Sequence, residues 1–288
     1  MIPAAIAVGV LVPRDHASQI ELDEAVERFR ASTVPADSFS DEAAPTSDPA
    51  SVPESTAPGD AAVSTGSADT PAPTVSPTTQ APPQPIALVE SGVYVYETTG
   101  SEHIDALSGV THEYPPETTI TVIADGCGVL LRWDALKERR EEWRLCATPS
   151  GIELQTRSLQ YHEFFDQETP EDVICDEPVI VVPVDDSESA AAALTCTIVD
   201  RPWLPVWEVL ESDVRVVDGK PLDVRHVRMT IDDNDDHYEH YVADWLLAPS
   251  GLPVELSVNK QSKSPSVVGD VVYDEVVQLT LVSAEPLR

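Results

Sequence analysis

The segment Asp232-Asp-Asn-Asp-Asp-His-Tyr-Glu-His240 gathers carboxylates, an amide and two imidazoles into nine residues, a donor set that suits Ca²⁺ or a transition ion. Asp232, Asn234 and Asp236 fall on the first three odd positions of a calcium-binding loop. His237 stands where that loop needs glycine, and Ala243 where it needs a bidentate glutamate. The stretch therefore reads first as a solvated acidic hairpin tip, with these three residues as weak metal candidates. No metal or other cofactor is expected.

Other reactive residue types lack partners at useful spacing. Ser150 and Ser250 each sit in a Pro-Ser-Gly turn, and no Gly-x-Ser-x-Gly elbow exposes a serine. The twelve glycines form neither a phosphate loop nor a dinucleotide fingerprint. His103, His112, His162 and His226 have no HxH or HExxH neighbour. Carboxylates are too abundant for any pair to stand out as a glycosidase acid and base. The chain is expected not to be an enzyme, and a catalytic residue cannot be named.

All four cysteines fall in the C-terminal region, at Cys127, Cys146, Cys175 and Cys196, without a CxxC pair. This spacing is poor for a zinc ribbon and suits disulfides. Sequential pairing, Cys127 with Cys146 and Cys175 with Cys196, is the expected connectivity. Four free buried thiols in a cytoplasmic protein are the competing reading.

The chain carries a formal charge of −34, which excludes nucleic acid as a partner through long-range attraction. No lysine or arginine occurs from Ala31 to Leu131, and then Arg132, Lys137, Arg139, Arg140 and Arg144 arrive together. A hairpin there would bring its cations near Trp133 and Trp143. It would be either an internally neutralised tip, paired to Glu138, Glu141 and Glu142, or a docking loop for an anionic envelope component or acidic partner.

Those residues must be carried by three regions. Residues 1–32 begin with the apolar run Ile2–Pro13, shorter than the roughly 20 residues of a membrane-spanning helix. It resembles the outer half of a signal anchor that a start upstream of Met1 would complete; a short cleaved signal sequence competes. Ser18–Arg30 then shows helical spacing at Leu22, Ala25, Val26 and Phe29, with Ser18 and Glu21 as a capping box. Residues 33–86 hold eleven prolines and one aromatic, Phe39, the composition of a disordered acidic linker able to lift a domain from a membrane.

From residue 87 to 288 the pattern has period two, with about twelve short strands. Asp218-Gly219 marks a hairpin, and Asp185–Leu194 is read as a short helix or loop. The fold class is all-β: an antiparallel sheet, open barrel or sandwich. An internal echo, Glu142-Trp-Arg-Leu-Cys-Ala-Thr-Pro-Ser-Gly-Ile152 against Asp244-Trp-Leu-Leu-Ala-Pro-Ser-Gly-Leu252, predicts two similar halves, about 92–165 and 205–286.

The Cys-Gly-x-Leu-Leu-Arg-Trp, Trp-Arg-Leu-Cys and Trp…Pro-Ser-Gly-Leu-Pro residues give the chain a loose resemblance to uncharacterised membrane-anchored extracytoplasmic proteins of actinobacteria. At fold level it resembles the half-barrels of lipoprotein-carrier-like envelope proteins. That resemblance implies a lipid or lipopeptide ligand on a concave sheet, although the helices that plug such a concavity are missing. The expected function is a non-enzymatic, envelope-displayed β-domain binding a ligand or protein partner, attached to the membrane through its N-terminus only. A lipid or lipoprotein carrier is the alternative, and a hydrolase with an unrecognised site ranks third.

Overall fold

The computed structural model describes residues 17–33, 86–106, 109–184, 191–199, 201–233, 236–266 and 269–288. The apolar N-terminal run and the proline-rich linker lie outside them. After helix α1 (Leu22–Thr33) come β1 (Gly92–Ile104) and β2 (Val110–Glu113). A first meander follows: β3 (Glu117–Asp125), β4 (Gly128–Asp134), β5 (Arg139–Thr148), β6 (Gly151–Leu154), β7 (Arg157–Phe164) and β8 (Gln167–Cys175). Four short strands connect it to the rest, β9 (Val179–Pro183), β10 (Ala191–Ala193), β11 (Cys196–Ile198) and β12 (Arg201–Trp203). The second meander is β13 (Val206–Val217), β14 (Lys220–Asp233), β15 (Glu239–Leu247), β16 (Pro253–Ser266) and β17 (Gly269–Leu281).

The pairing is antiparallel throughout. β6 and β7 act as one broken strand, because β5 pairs with β6 through Leu145–Thr148 and with β7 through Arg139–Glu142. Both meanders thus run through five strand positions. β1 joins them by pairing with β3 through Gly92–Glu97 and with β17 through Tyr96–Ile104. It passes from one partner to the other at Tyr96–Glu97, and at Gly100, already against β17, a Cβ would stand 1.9 Å from the Val276 carbonyl oxygen. Only glycine fits such an approach.

The sheet remains open. The connector reaches from one end to the other, with β10 on β13 through Ala191–Ala193 and β11 on β8 through Cys196–Ile198. The three alanines expected in a helix or loop are therefore strand residues; their extended pairing to Val206–Glu208 prevails over alanine's helical propensity. Asp185–Ala190 lie outside the described residues. Asp218 and Gly219 both have positive φ, 48° and 72°, as the two-residue hairpin turn requires.

Disulfides Cys127–Cys146 and Cys175–Cys196 form, and no cysteine is free. The first ties the β3–β4 turn to β5; the second fastens the connector to β8 across partnered positions. Two such bonds fit folding in an oxidising, extracytoplasmic compartment.

One core lies between the meanders, filled by Trp133 and Trp143 from one side and Trp207 and Trp245 from the other, among Leu131, Leu145, Val227, Leu247 and Leu256. The repeated Pro-Ser-Gly turns close the same region. A Cβ on Gly251 would meet Leu145 at 3.0 Å and Ile152 at 3.3 Å, so the second turn packs against the strands around the first.

Helix α1 belongs to this body. Ala25 and Phe29 are buried on its inner face, with Ile20 before it, against Val93 and Ile123 on the back of β1 and β3. The helix starts at Leu22, with the Ala25 amide donating to the Glu21 carbonyl at 3.0 Å, so Glu21 holds the cap position expected of Ser18. Ser18 instead fastens the segment. Its amide donates to Glu138 at 2.7 Å and its carbonyl accepts from the Lys137 amide at 2.9 Å. Residues 34–85 consequently leave and rejoin one body, and their length does not set a distance between α1 and the sheet. Among the described residues no helix is long and apolar enough to cross a membrane.

Candidate functional site

The β4–β5 hairpin does form, and alternation along its strands sends the five cations to different places. Arg132 and Arg140 share Glu142 on the outer face, at 2.9 and 3.6 Å. Arg144 meets Asp125 at 2.9 Å, and Lys137 lies 3.7 Å from Glu24 of α1. Arg139 points inward and is buried. Each cation has a carboxylate, and three of the pairs use glutamates or an aspartate from outside the hairpin tip.

Arg139 opens onto an interior polar network at the end of the core away from the Pro-Ser-Gly turns. Its Nε and Nη2 both donate to Glu275 at 3.2 Å, Nη2 also donates to Glu141, and its guanidinium lies 5.4 Å from the centre of the Trp133 ring. Tyr114 donates its hydroxyl to Glu275 at 2.5 Å. Glu102, wholly buried, accepts from His112 Nδ1 at 2.9 Å, His162 Nδ1 at 3.2 Å and the Tyr273 hydroxyl at 2.8 Å. Beside them Lys260 donates to Gln160 at 3.1 Å and lies 3.6 Å from Glu239, over the faces of Tyr241 and Tyr273.

This arrangement sets the charges. Burial pushes the Glu102 carboxyl upward, but the hydrogen bonds from His112 and His162, with the charges of His162 and Arg139, prevail and bring it down to about 2. Glu275 moves the same way: burial raises it, and Arg139 more than offsets that. Lys260 is lowered by burial and raised by Glu239, Glu171 and Glu275, with the net direction upward. Ionised and mutually satisfied, these groups tie β1, β2, β5, β7, β16 and β17 together.

Among the described residues, a space of about 30 Å³ in the core mixes Glu141, Gln160 and Glu177 with apolar side chains, and one of about 20 Å³ between Trp143, Trp207 and Trp245 is apolar. The larger openings are outside. A cleft of about 590 Å³ lies on the solvent face of the second meander, lined among others by Arg215, His226, Arg228, Asp244, Glu255 and Gln278. Within it Asp244 accepts from His226 Nε2 at 2.5 Å and from Arg228 Nε at 2.8 Å. A second, of about 580 Å³, separates Val182–Val184 from Ser212–Val214.

In the acidic segment, Asp232 pairs with His240 at 2.8 Å across β14 and β15. Asn234 lies outside the described residues, and Asp236 is exposed. Among the described residues no cluster of three or more His, Cys, Asp or Glu could hold a metal ion. His103 is half-buried and bonded to Thr111 at 2.9 Å.

No protein-family model, curated protein or solved structure matches this chain. Its functional reading rests on its own geometry.

Proposed function

We propose that this chain is a non-enzymatic, extracytoplasmic binding domain that engages an envelope ligand or protein partner on the solvent face of its sheet. The observation that carries the reading is the filled interior. Small-molecule sites enclose on the order of 300–1,000 Å³, whereas the two spaces described in the core hold about 30 and 20 Å³. The roughly 590 Å³ cleft beside Arg228 and Asp244 is solvent-facing and polar. Its imidazole is already engaged with Asp244, a carboxylate shared with Arg228, an arrangement suited to holding a polar partner.

Attachment through the apolar run ending at Pro13 forms part of the proposal. Because Ser18 is bonded to Lys137 and Glu138, few residues separate that run from the folded body, and the domain would lie close to the membrane surface. Native mass spectrometry of the full chain purified from membrane-containing lysate tests the reading. The expected mass is that of the polypeptide with two disulfides; a stoichiometric bound lipid would overturn it in favour of a carrier.

A further inference from the structure

The outer edge of β13 bears a self-complementary pattern. The Val217–Lys220 pair closes the two-residue turn at Asp218-Gly219, so alternation directs the amides and carbonyls of Val216, Val214 and Ser212 away from β14. Pro221, which has no amide hydrogen, stands opposite Val216, where β14 needs none. Among the described residues, β10 pairs with Val206–Glu208 of this edge. Val214 and Val216 are 51% and 72% exposed.

Two charges flank Val214. Asp213 and Arg215 form an ion pair within one strand, the Asp213 carboxylate accepts the Val214 amide at 2.7 Å, and Arg215 also reaches Glu255 at 2.8 Å. Charged side chains of this kind blunt a free edge against indiscriminate pairing. They leave it receptive to a strand carrying the same two charges in reverse order.

We propose that this edge recognises a second copy of the chain, two β13 strands pairing antiparallel about Val214. Val214 then faces Val214 of the second copy, and Ser212 faces its Val216. These outward-directed positions supply about six backbone hydrogen bonds. Asp213 falls opposite Arg215 of the second copy, and Arg215 opposite its Asp213, at the closer, non-hydrogen-bonded positions of the ladder. The Asp213 carboxylate releases the Val214 amide to the facing carbonyl and takes the new guanidinium. Four exposed valines meet on one face, and the cleft of about 580 Å³ beside Val182–Val184 gives the incoming strand room. The contact is isologous, so it closes at two copies.

Sedimentation velocity on the full chain over a concentration series tests this. Wild type is expected to dimerise reversibly. Asp213→Arg, at an exposed side chain, and Arg215→Asp, at a half-buried one, should each sediment as monomers with an unchanged far-ultraviolet circular dichroism spectrum. The doubly swapped Asp213→Arg/Arg215→Asp chain, and an equimolar mixture of the two single variants, should recover the dimer. A wild type that stays monomeric at all concentrations overturns the proposal. So do single variants that dimerise normally, or swaps that fail to restore association.

Discussion

Trp143 and Trp245 meet edge to face, their ring centroids 4.7 Å apart and their planes at 85°. Each begins the same repeated unit, a tryptophan strand leading into a Pro-Ser-Gly turn, so the two copies of one sequence pattern form the centre of one core. Neither meander has a buried face without the other.

Removing either ring should therefore destabilise the whole domain. Trp143→Ala or Trp245→Ala is expected to cost about 3–5 kcal/mol in urea unfolding. The double variant should lose less than the sum, by a coupling of about 0.5–1.5 kcal/mol. Additivity would mean that the rings do not act as a pair.

Acid should weaken the fold through Glu102. Its carboxyl goes from an ordinary 4.5 to about 2 in the folded chain. The unfolded chain therefore takes up that proton first as pH falls. The contribution, on the order of 3 kcal/mol, is fully present above pH about 4.5 and is lost as pH falls through about 2. Urea midpoints measured from pH 6 to pH 2 should fall across that window, and Glu102→Gln should flatten this part of the profile while lowering stability at pH 7. An unchanged slope in the variant would assign the acid sensitivity elsewhere.

Arg139 is the counter-ion that Glu275 and Glu141 share. Arg139→Met should cost about 3–5 kcal/mol because it leaves buried carboxylates without their cation. Adding Glu275→Leu should recover part of that loss. A double variant weaker than Arg139→Met would show that Glu275 is held by its other contacts.

Both disulfides should matter, by about 2–4 kcal/mol each. Replacing Cys175 and Cys196 by alanine should also raise hydrogen exchange in the connector Ala191–Trp203 while sparing β16. Equal exchange in connector and core would contradict the fastening role given to that bond.

The strands of the second meander, β1, β3 to β6 and β9, both disulfide pairings and the Asp218-Gly219 hairpin were legible in the sequence, because period two, cysteine spacing and turn chemistry are local signals; β2, β7, β8 and the short connector strands β10 to β12 were not. The interior network was harder to read. Its signal was present: Glu102 continues the inward phase of Tyr94, Tyr96 and Thr98, Lys260 that of Leu256 and Val258, and Glu275 that of Val277 and Leu279. Each charge looks like an interruption when its strand is read alone. Only the pairing of β1 with β17, and the inward turn of Arg139, shows that the interruptions meet. The cation run misled in the same way, since neighbours in sequence alternate between faces of a strand. Helical spacing identified α1, but nothing local tells that its apolar face covers Val93 and Ile123.

That cover gives another expectation. Amides of Leu22–Thr33 should exchange slowly in the intact chain and quickly in Phe29→Asp, with β16 unchanged. Fast exchange in wild type would place the helix off the sheet.

The filled interior is tested most directly by titrating the full chain with a dansyl-labelled fatty acid and following energy transfer from tryptophan. Trp133, Trp143, Trp207 and Trp245 surround the space a carrier would fill. No saturable transfer is expected up to the probe's solubility limit. Saturation at one probe per chain, with quenching of the tryptophans, would contradict the account and make the domain a lipid carrier.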